Sequence, residues 1–366
     1  MSDEHDDWPG GRIFHLAGGI RAMNLEGPEV ALMPTTIKGT SAGFRANTFR
    51  SVYSDLAKRG LEIIGVDFFA NPLEIERTAP PEWRVFHQGW PSRDLTQKWS
   101  EIANAAFKKN DGHAWDLAAR VSYQMDVCNL RVRQASEAYA EQLNAKSKQG
   151  SLAPGLGFED GFTRLGYIAI QSYLIDVCTL RDYLAEFVAN FIWSPIFGID
   201  GSQISSMSGL IKKALKEIPS TDPLSSSLKE ATGNGGWLQE LGAYRDLVVH
   251  TAPLSTAGAR LFGIIEYQEL DPTRTLPILR LPLPINPQEL MSQRATRQHF
   301  SDFSAQMNIF TQMAREKFSS VDALGYIWKA HRKIAELAGL IGAASPLKGE
   351  ILVITDSDII GDIRVL

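Results

Sequence analysis

The chain has 366 residues, 44% of them hydrophobic and 22% charged, with a formal net charge of −5 at pH 7. That much apolar material excludes disorder as the dominant state, and the charge balance excludes a histone-like polycation while leaving a local nucleic-acid contact open. Four acidic residues, Asp3, Glu4, Asp6 and Asp7, fall in the first seven positions, so the rest of the chain is nearly neutral.

Residues 1–40 are rich in Gly and Pro, and their two short apolar runs, 13–17 and 30–33, read as strands or irregular cover. Residues 43–58 predict a helix stopped by Gly60, because glycine tolerates the left-handed conformation of a helix end. The run 61–69 is β-branched and aromatic enough for a buried strand. Pro72, Pro80, Pro81 and Pro91 mark 70–95 as a connector. Long helices dominate from there. Over 112–148 the residues Val121, Met125, Cys128, Val132, Ala135 and Tyr139 recur at steps of three and four and form one apolar stripe. Arg131, Arg133, Glu137 and Glu141 occupy the opposite face.

The segment 151–157 breaks the chain, and a second long helix over 160–192, apolar on more than one side, ends at Pro195. A shorter amphipathic helix is predicted over 204–217, with Lys212, Lys213 and Lys216 on it. Asp222-Pro223 starts another, since Asp accepts from free N–H groups and Pro fits the first turn. Gly233-Asn234-Gly235-Gly236 stops it. A helix from Trp237 to His250 follows, with Pro253 beyond, and then two strands, 261–267 and 276–281, flank Asp271-Pro272-Thr273 as a β-hairpin. Helices return at 287–317 and 321–343, and the tail is β-like at 351–355 and 359–365.

These elements predict a mainly α protein, an up-and-down bundle of long helices over 101–345 with a β-hairpin inserted at 259–283. A small mixed α+β segment of unassigned role, 1–100, precedes it, and a β tail, 346–366, follows. Phosphate-cradling glycine loops, the Gly-x-Ser-x-Gly elbow and His-Glu-x-x-His are absent from the sequence. Its seven histidines form no i, i+4 pair, and Cys128 and Cys178 read as buried free thiols, so neither a metal nor a cofactor is expected. The acidic start does not resemble a signal peptide. The longest apolar stretch, about 168–193, is interrupted by Gln171, Asp176, Arg181, Asp182 and Glu186, so a cytoplasmic protein with no membrane span is expected.

One segment carries chemical information. In Tyr244-Arg245-Asp246-Leu247-Val248-Val249-His250, Asp246 and His250 are four apart and stack on one face of a helix. A helix C-terminus and a nearby carboxylate favour imidazolium, which moves His250 toward a proton-transfer role. Arg245 suits a phosphate and the negative charge that develops on it. Such a set suffices for RNA cleavage without a metal. Trp237 and Tyr244, on the same helix, are candidates to stack on a base, though aromatics more often fill a core. Arg181-Asp182 repeats the Arg-Asp pair without a His, and Arg294 to His299 repeats the spacing without a polar second position, which reads as a solvated face. Basic residues between 291 and 350 exceed acidic ones, a pattern that a solvated face also explains.

The segment resembles the signature of the HEPN superfamily of helical toxin and defence ribonucleases: Arg, then a polar residue, then His near a helix end. Arg245, Asp246 and His250 match in order. The resemblance, which covers about 105–345, implies a bundle of four or five helices and a metal-independent endoribonuclease of stress response or phage defence. It also implies a homodimer with two motifs facing one cleft, RNA as substrate, and an antitoxin or regulatory protein as partner. His250 would be the general base, Arg245 the transition-state contact and Asp246 the residue that orients His250. The alternative is a non-catalytic binding or regulatory module, in which Arg245 and Asp246 form ion pairs and His250 caps its own helix.

Overall fold

Seven short strands dominate the N-terminal part of a computed structural model of the chain. The structure describes residues 11–24, 27–34, 42–69, 81–87, 89–92, 94–251, 262–288, 299, 301–302, 304–305, 308, 312, 320–349 and 351. The strands are β1 (Arg12–Leu16), β2 (Arg21–Asn24), β3 (Glu29–Met33), β4 (Ala42–Arg45), β5 (Ile63–Phe68), β6 (Glu82–His87) and β7 (Trp90–Ser92), with helix α1 (Phe49–Lys58) between β4 and β5. They form one sheet in the order β4-β3-β2-β1-β5-β6-β7, antiparallel at every pairing.

This sheet corrects the expected fold class. The protein is not a mainly α bundle with a small α+β segment at its N-terminus, because a seven-stranded antiparallel sheet is built from that segment. The runs 61–69, 13–17 and 30–33 do fall on β5, β1 and β3, but the strands of the whole sheet are hard to read by periodicity for two physical reasons. They are three to six residues long. The central β1 and β5 are also buried on both faces, so β5 reads BBBBB over its first five residues where a half-buried strand alternates as β3 does. The supposed connector 70–95 holds β6 and β7, and the expected helix 43–58 begins only after β4, where Thr48 and Ser51 form a capping box. Gly60 ends α1 at φ +69°, as expected.

The helices follow: α2 (Asp94–Lys108), α3 (Gly112–Lys148), then β8 (Gly157–Phe158), α4 (Gly161–Phe187), α5 (Ser194–Phe197), α6 (Met207–Leu210), α7 (Pro223–Thr232) and α8 (Trp237–Asp246). The predicted stripe of α3, Val121 to Tyr139, is buried throughout. Pro195 does not end the second long helix. The helix runs on through a π-helical segment, Val188–Trp193, into α5, where Pro195 sits in the first turn and needs no N–H partner. Gly198, at φ +70°, is the stop. A second π segment, Ile211–Leu215, extends α6, and a third, Leu247–Thr251, extends α8. Asp222 caps α7 as expected, accepting from the Ser225 N–H at 2.7 Å.

The predicted hairpin is β9 (Gly263–Asp271) and β10 (Arg274–Arg280), joined by a third strand in the order β10-β9-β8. β11 (Pro282–Pro284) pairs with β12 (Ser320–Asp322), which leads into α9 (Ala323–Ala344). The expected helix at 287–317 and the β-like tail at 351–355 and 359–365 lie largely or wholly outside the described residues.

The chain divides into two units: Met1–Arg93 with Val127–Cys178 and Glu230–Ile334, and Asp94–Asp126 with Thr179–Lys229 and Ala335–Leu366. In the first, the β1–β2 turn abuts α3 so closely that a Cβ on Gly19 would lie 2.8 Å from the backbone of Tyr139. Trp83 of β6 donates its indole N–H to the Asn129 carbonyl of α3 at 2.9 Å. In the second, Trp99 and Phe187 meet edge-to-face with centroids 4.9 Å apart, both fully buried.

Candidate functional site

Helix α8 and its π-helical extension carry the five candidate site residues, Trp237, Tyr244, Arg245, Asp246 and His250. The segment Trp237–Asp246 starts after Gly236, which has no room for a side chain, since a Cβ there would lie 2.3 Å from the Ala231 carbonyl oxygen. Leu238, Leu241, Tyr244, Leu247 and Val248 are buried and fix the inner face. Arg245 and Asp246 are left half-buried, and Val249 and His250 exposed.

The π turn matters for geometry. Five α-helical residues would rotate His250 about 140° away from Arg245. A π-helix turns less per residue, so the π segment leaves His250 rotated less far from Arg245 than an unbroken α-helix would.

The three motif residues are not joined as expected. Asp246 pairs with Arg245, Nη1 to Oδ1 at 3.1 Å, and among the described residues no bond links Asp246 to His250. The carboxylate therefore holds the guanidinium rather than the imidazole. Arg245 Nε is itself buried with no acceptor. Tyr244 is fully buried, with its hydroxyl donating to the Pro284 carbonyl at 2.5 Å and its ring 4.4 Å from that of Tyr326. Burial pushes that hydroxyl's pKa up, and a ring sealed in this way offers no face to a base. Trp237, half-buried at the start of α8, keeps part of its surface open. Arg181 pairs with Asp182, which also accepts from the Met207 N–H, so that pair joins α4 to α6.

A polar network that sequence reading missed lies where β1, β2 and β5 meet α3. His15 Nε2 is 3.1 Å from Asp67 Oδ2, and His15 Nδ1 is 3.3 Å from Ser136 Oγ. Arg21 donates to Ser136 Oγ at 3.0 Å and to the Ser136 carbonyl at 2.9 Å. Arg133 donates Nε and Nη2 to the two oxygens of Asp67 at 2.8 and 3.0 Å, and also pairs with Glu137 at 2.8 Å. Burial, then the Arg21 charge, hold the His15 pKa down to about 3. Burial pushes Asp67 up, but hydrogen bonds from His15 and Arg133 outweigh it and leave that carboxyl at about 2.

At neutral pH His15 is therefore neutral, donating from Nε2 to the carboxylate and accepting the serine hydroxyl at Nδ1. Serine, histidine and aspartate in a chain also make a nucleophile triad elsewhere. Here all three are sealed, and the Ser136 oxygen is occupied by Arg21, so the network fastens helix to sheet and meets no substrate. No sequence signal could have revealed it, because His15 and Ser136 are 121 positions apart.

Among the described residues no group of three or more His, Cys, Asp or Glu is placed to hold a metal ion, and no helix is long and apolar enough to cross a membrane. Compared with protein-family models, with curated proteins and with solved structures, the chain has no significant match in any of the three.

Proposed function

We propose that the chain is a metal-independent endoribonuclease acting through Arg245 and His250, with the HEPN-like motif as its catalytic segment. The observation that supports this most is the exposed His250 in a π turn directly beyond the half-buried Arg245. His250 takes the proton of a 2′-hydroxyl, and the 2′-oxygen attacks the adjacent phosphorus. The bond to the 5′-oxygen breaks, and that oxygen leaves with a proton. Arg245 meets the non-bridging oxygens as charge builds on them. The products are a 2′,3′-cyclic phosphate and a 5′-hydroxyl.

A second copy of the chain would bring a second Arg245–His250 pair, so the active form on this reading is a homodimer in the cytoplasm, held in check by an antitoxin or regulatory protein. The test is incubation of the full chain with single- and double-stranded RNAs in EDTA, with the product ends identified. Cleavage that His250→Ala abolishes supports the reading, and intact RNA under all conditions overturns it.

A second reading, a non-catalytic binding module on the same scaffold, is favoured by the 3.1 Å pair between Arg245 and Asp246, which neutralises the guanidinium within the chain. RNA binding without cleavage by wild type would select it.

A further inference from the structure

In the first unit, α1, the start of β5, Phe86 of β6 and α9 line a solvent-open cavity of about 790 Å³, within the range of small-molecule and cofactor sites. Its wall combines two kinds of chemistry. Tyr53 and Phe86 supply aromatic surface, with ring centroids 5.5 Å apart and planes tilted by 55°, and Trp328 supplies a third ring. Arg50 and Arg332 supply positive charge, against Glu62 as the acidic residue of the lining.

The spacing explains how the residues reach one place. Arg50 and Tyr53 lie three apart on α1 and Trp328 and Arg332 four apart on α9, so each pair shares a helix face. Among the described residues neither Arg50 nor Arg332 has a carboxylate partner. The Arg332 guanidinium instead lies over the Trp328 ring at 5.0 Å. Arg332 Nε and Trp328 Nε1 are buried donors with no acceptor among the described residues, and a bound molecule that supplied acceptors there would satisfy both.

From this cavity we infer a binding site for a nucleoside phosphate, its base against the aromatic wall and its phosphate on Arg50 and Arg332. Aromatic faces accept any base, and a guanidinium is shaped for phosphate oxygens. A free nucleotide and one unstacked nucleotide of an RNA strand share this chemistry. The site lies apart from Arg245 and His250, neither of which lines it, and it stands whether or not His250 cuts RNA.

The test is calorimetric titration of the full chain with AMP, UMP, adenosine, inorganic phosphate and a 2′-O-methyl RNA hexamer, which 2′-hydroxyl attack cannot cut. A mononucleotide or the hexamer should bind saturably, with adenosine and phosphate at least about tenfold weaker, since one charge-assisted contact is worth that much. AMP or UMP binding identifies the free nucleotide as ligand, and hexamer binding alone identifies the strand.

The double variant Arg50→Gln/Arg332→Gln should weaken binding at least about tenfold, and His250→Ala should bind as wild type does. Arg50 is exposed, so Arg50→Gln alone keeps the test open if the double variant does not fold. The inference is overturned if neither nucleotides nor hexamer bind, if phosphate alone binds as tightly, if Arg50→Gln or the double variant leaves affinity unchanged, or if His250→Ala loses binding.

Discussion

His15 and Asp67 face each other across the central strand pair β1 and β5, with 3.1 Å between Nε2 and Oδ2 and 2% and 5% of their side chains exposed. This pair sets how the fold responds to acid. In the unfolded chain a histidine takes up a proton near pH 6.5, whereas folded His15 does so only at about pH 3 and His331, buried on α9, at about pH 4. As pH falls below 6.5, the unfolded state gains protons that the folded state refuses, so stability drops. The loss continues until pH passes the folded values. Asp67, ionised down to about pH 2 when folded, adds a further loss below its ordinary 3.8. Each histidine contributes a slope of up to about 1.4 kcal/mol per pH unit. Urea melts at pH 7, 6 and 5 should therefore show a falling midpoint, and a flat profile over that range would contradict the buried neutral imidazoles.

Arg133 is the partner that keeps Asp67 charged. Arg133→Met should cost about 3 kcal/mol, because the carboxylate then loses two hydrogen bonds while remaining sealed beside His15. Asp67→Asn in the same chain should return part of that loss, since the uncompensated charge is gone. Equilibrium unfolding of the two single variants and the double variant measures the coupling. Equal and additive losses would mean that the Arg133–Asp67 contact holds nothing together.

The contrast between α3 and the sheet shows what a sequence makes legible. Val121, Met125, Cys128, Val132, Ala135 and Tyr139 announce their helix because its period is local and its buried stripe is unbroken over five turns. The β9–β10 hairpin is equally local, its turn marked by Asp271-Pro272-Thr273. β5 shows as the apolar run 61–69 and β1 as the short run 13–17, but neither announces its partner. Their pairing joins residues about fifty positions apart, such as Phe14 to Val66, and their side chains are buried on both faces. The motif on α8 was visible as spacing, but spacing could not show that Asp246 turns to Arg245 or that the turn after it is π-helical. The cavity beneath α1 was invisible for the same reason as the sheet, because Arg50 and Arg332 meet only through tertiary packing.

Gly65 tests the packing of the sheet against α3. A Cβ there would lie 2.2 Å from the Trp83 ring and 2.8 Å from the Arg84 carbonyl oxygen. Trp83 is not free to retreat: its ring packs on His15 at 4.7 Å and its indole N–H is bonded to α3. Gly65→Ala should thus destabilise by about 1–3 kcal/mol, the usual cost of overpacking, without any change of backbone conformation at the glycine. Thermal unfolding by circular dichroism reads this directly, and a melting temperature equal to wild type would show that Trp83 has room to move.

Asp246 separates two roles that the motif alone confounds. If it oriented His250, Asp246→Asn would lower the rate of RNA cleavage and displace the pH profile set by the imidazole. The 3.1 Å pair with Arg245 leads to a different expectation. Neutralising Asp246 frees the guanidinium for phosphate, so RNA should bind more tightly. The logarithmic salt dependence of binding should steepen by up to about 0.7, the increment for one more single-strand phosphate contact. The pH profile of cleavage should stay where it is. Fluorescence anisotropy of a labelled RNA between 50 and 200 mM salt, an interval chosen for the counterion effect, measures the first two, and initial rates from about pH 5 to 8 measure the third. Weaker binding or a displaced profile in Asp246→Asn would return Asp246 to His250 and reverse the assignment made from the ion pair.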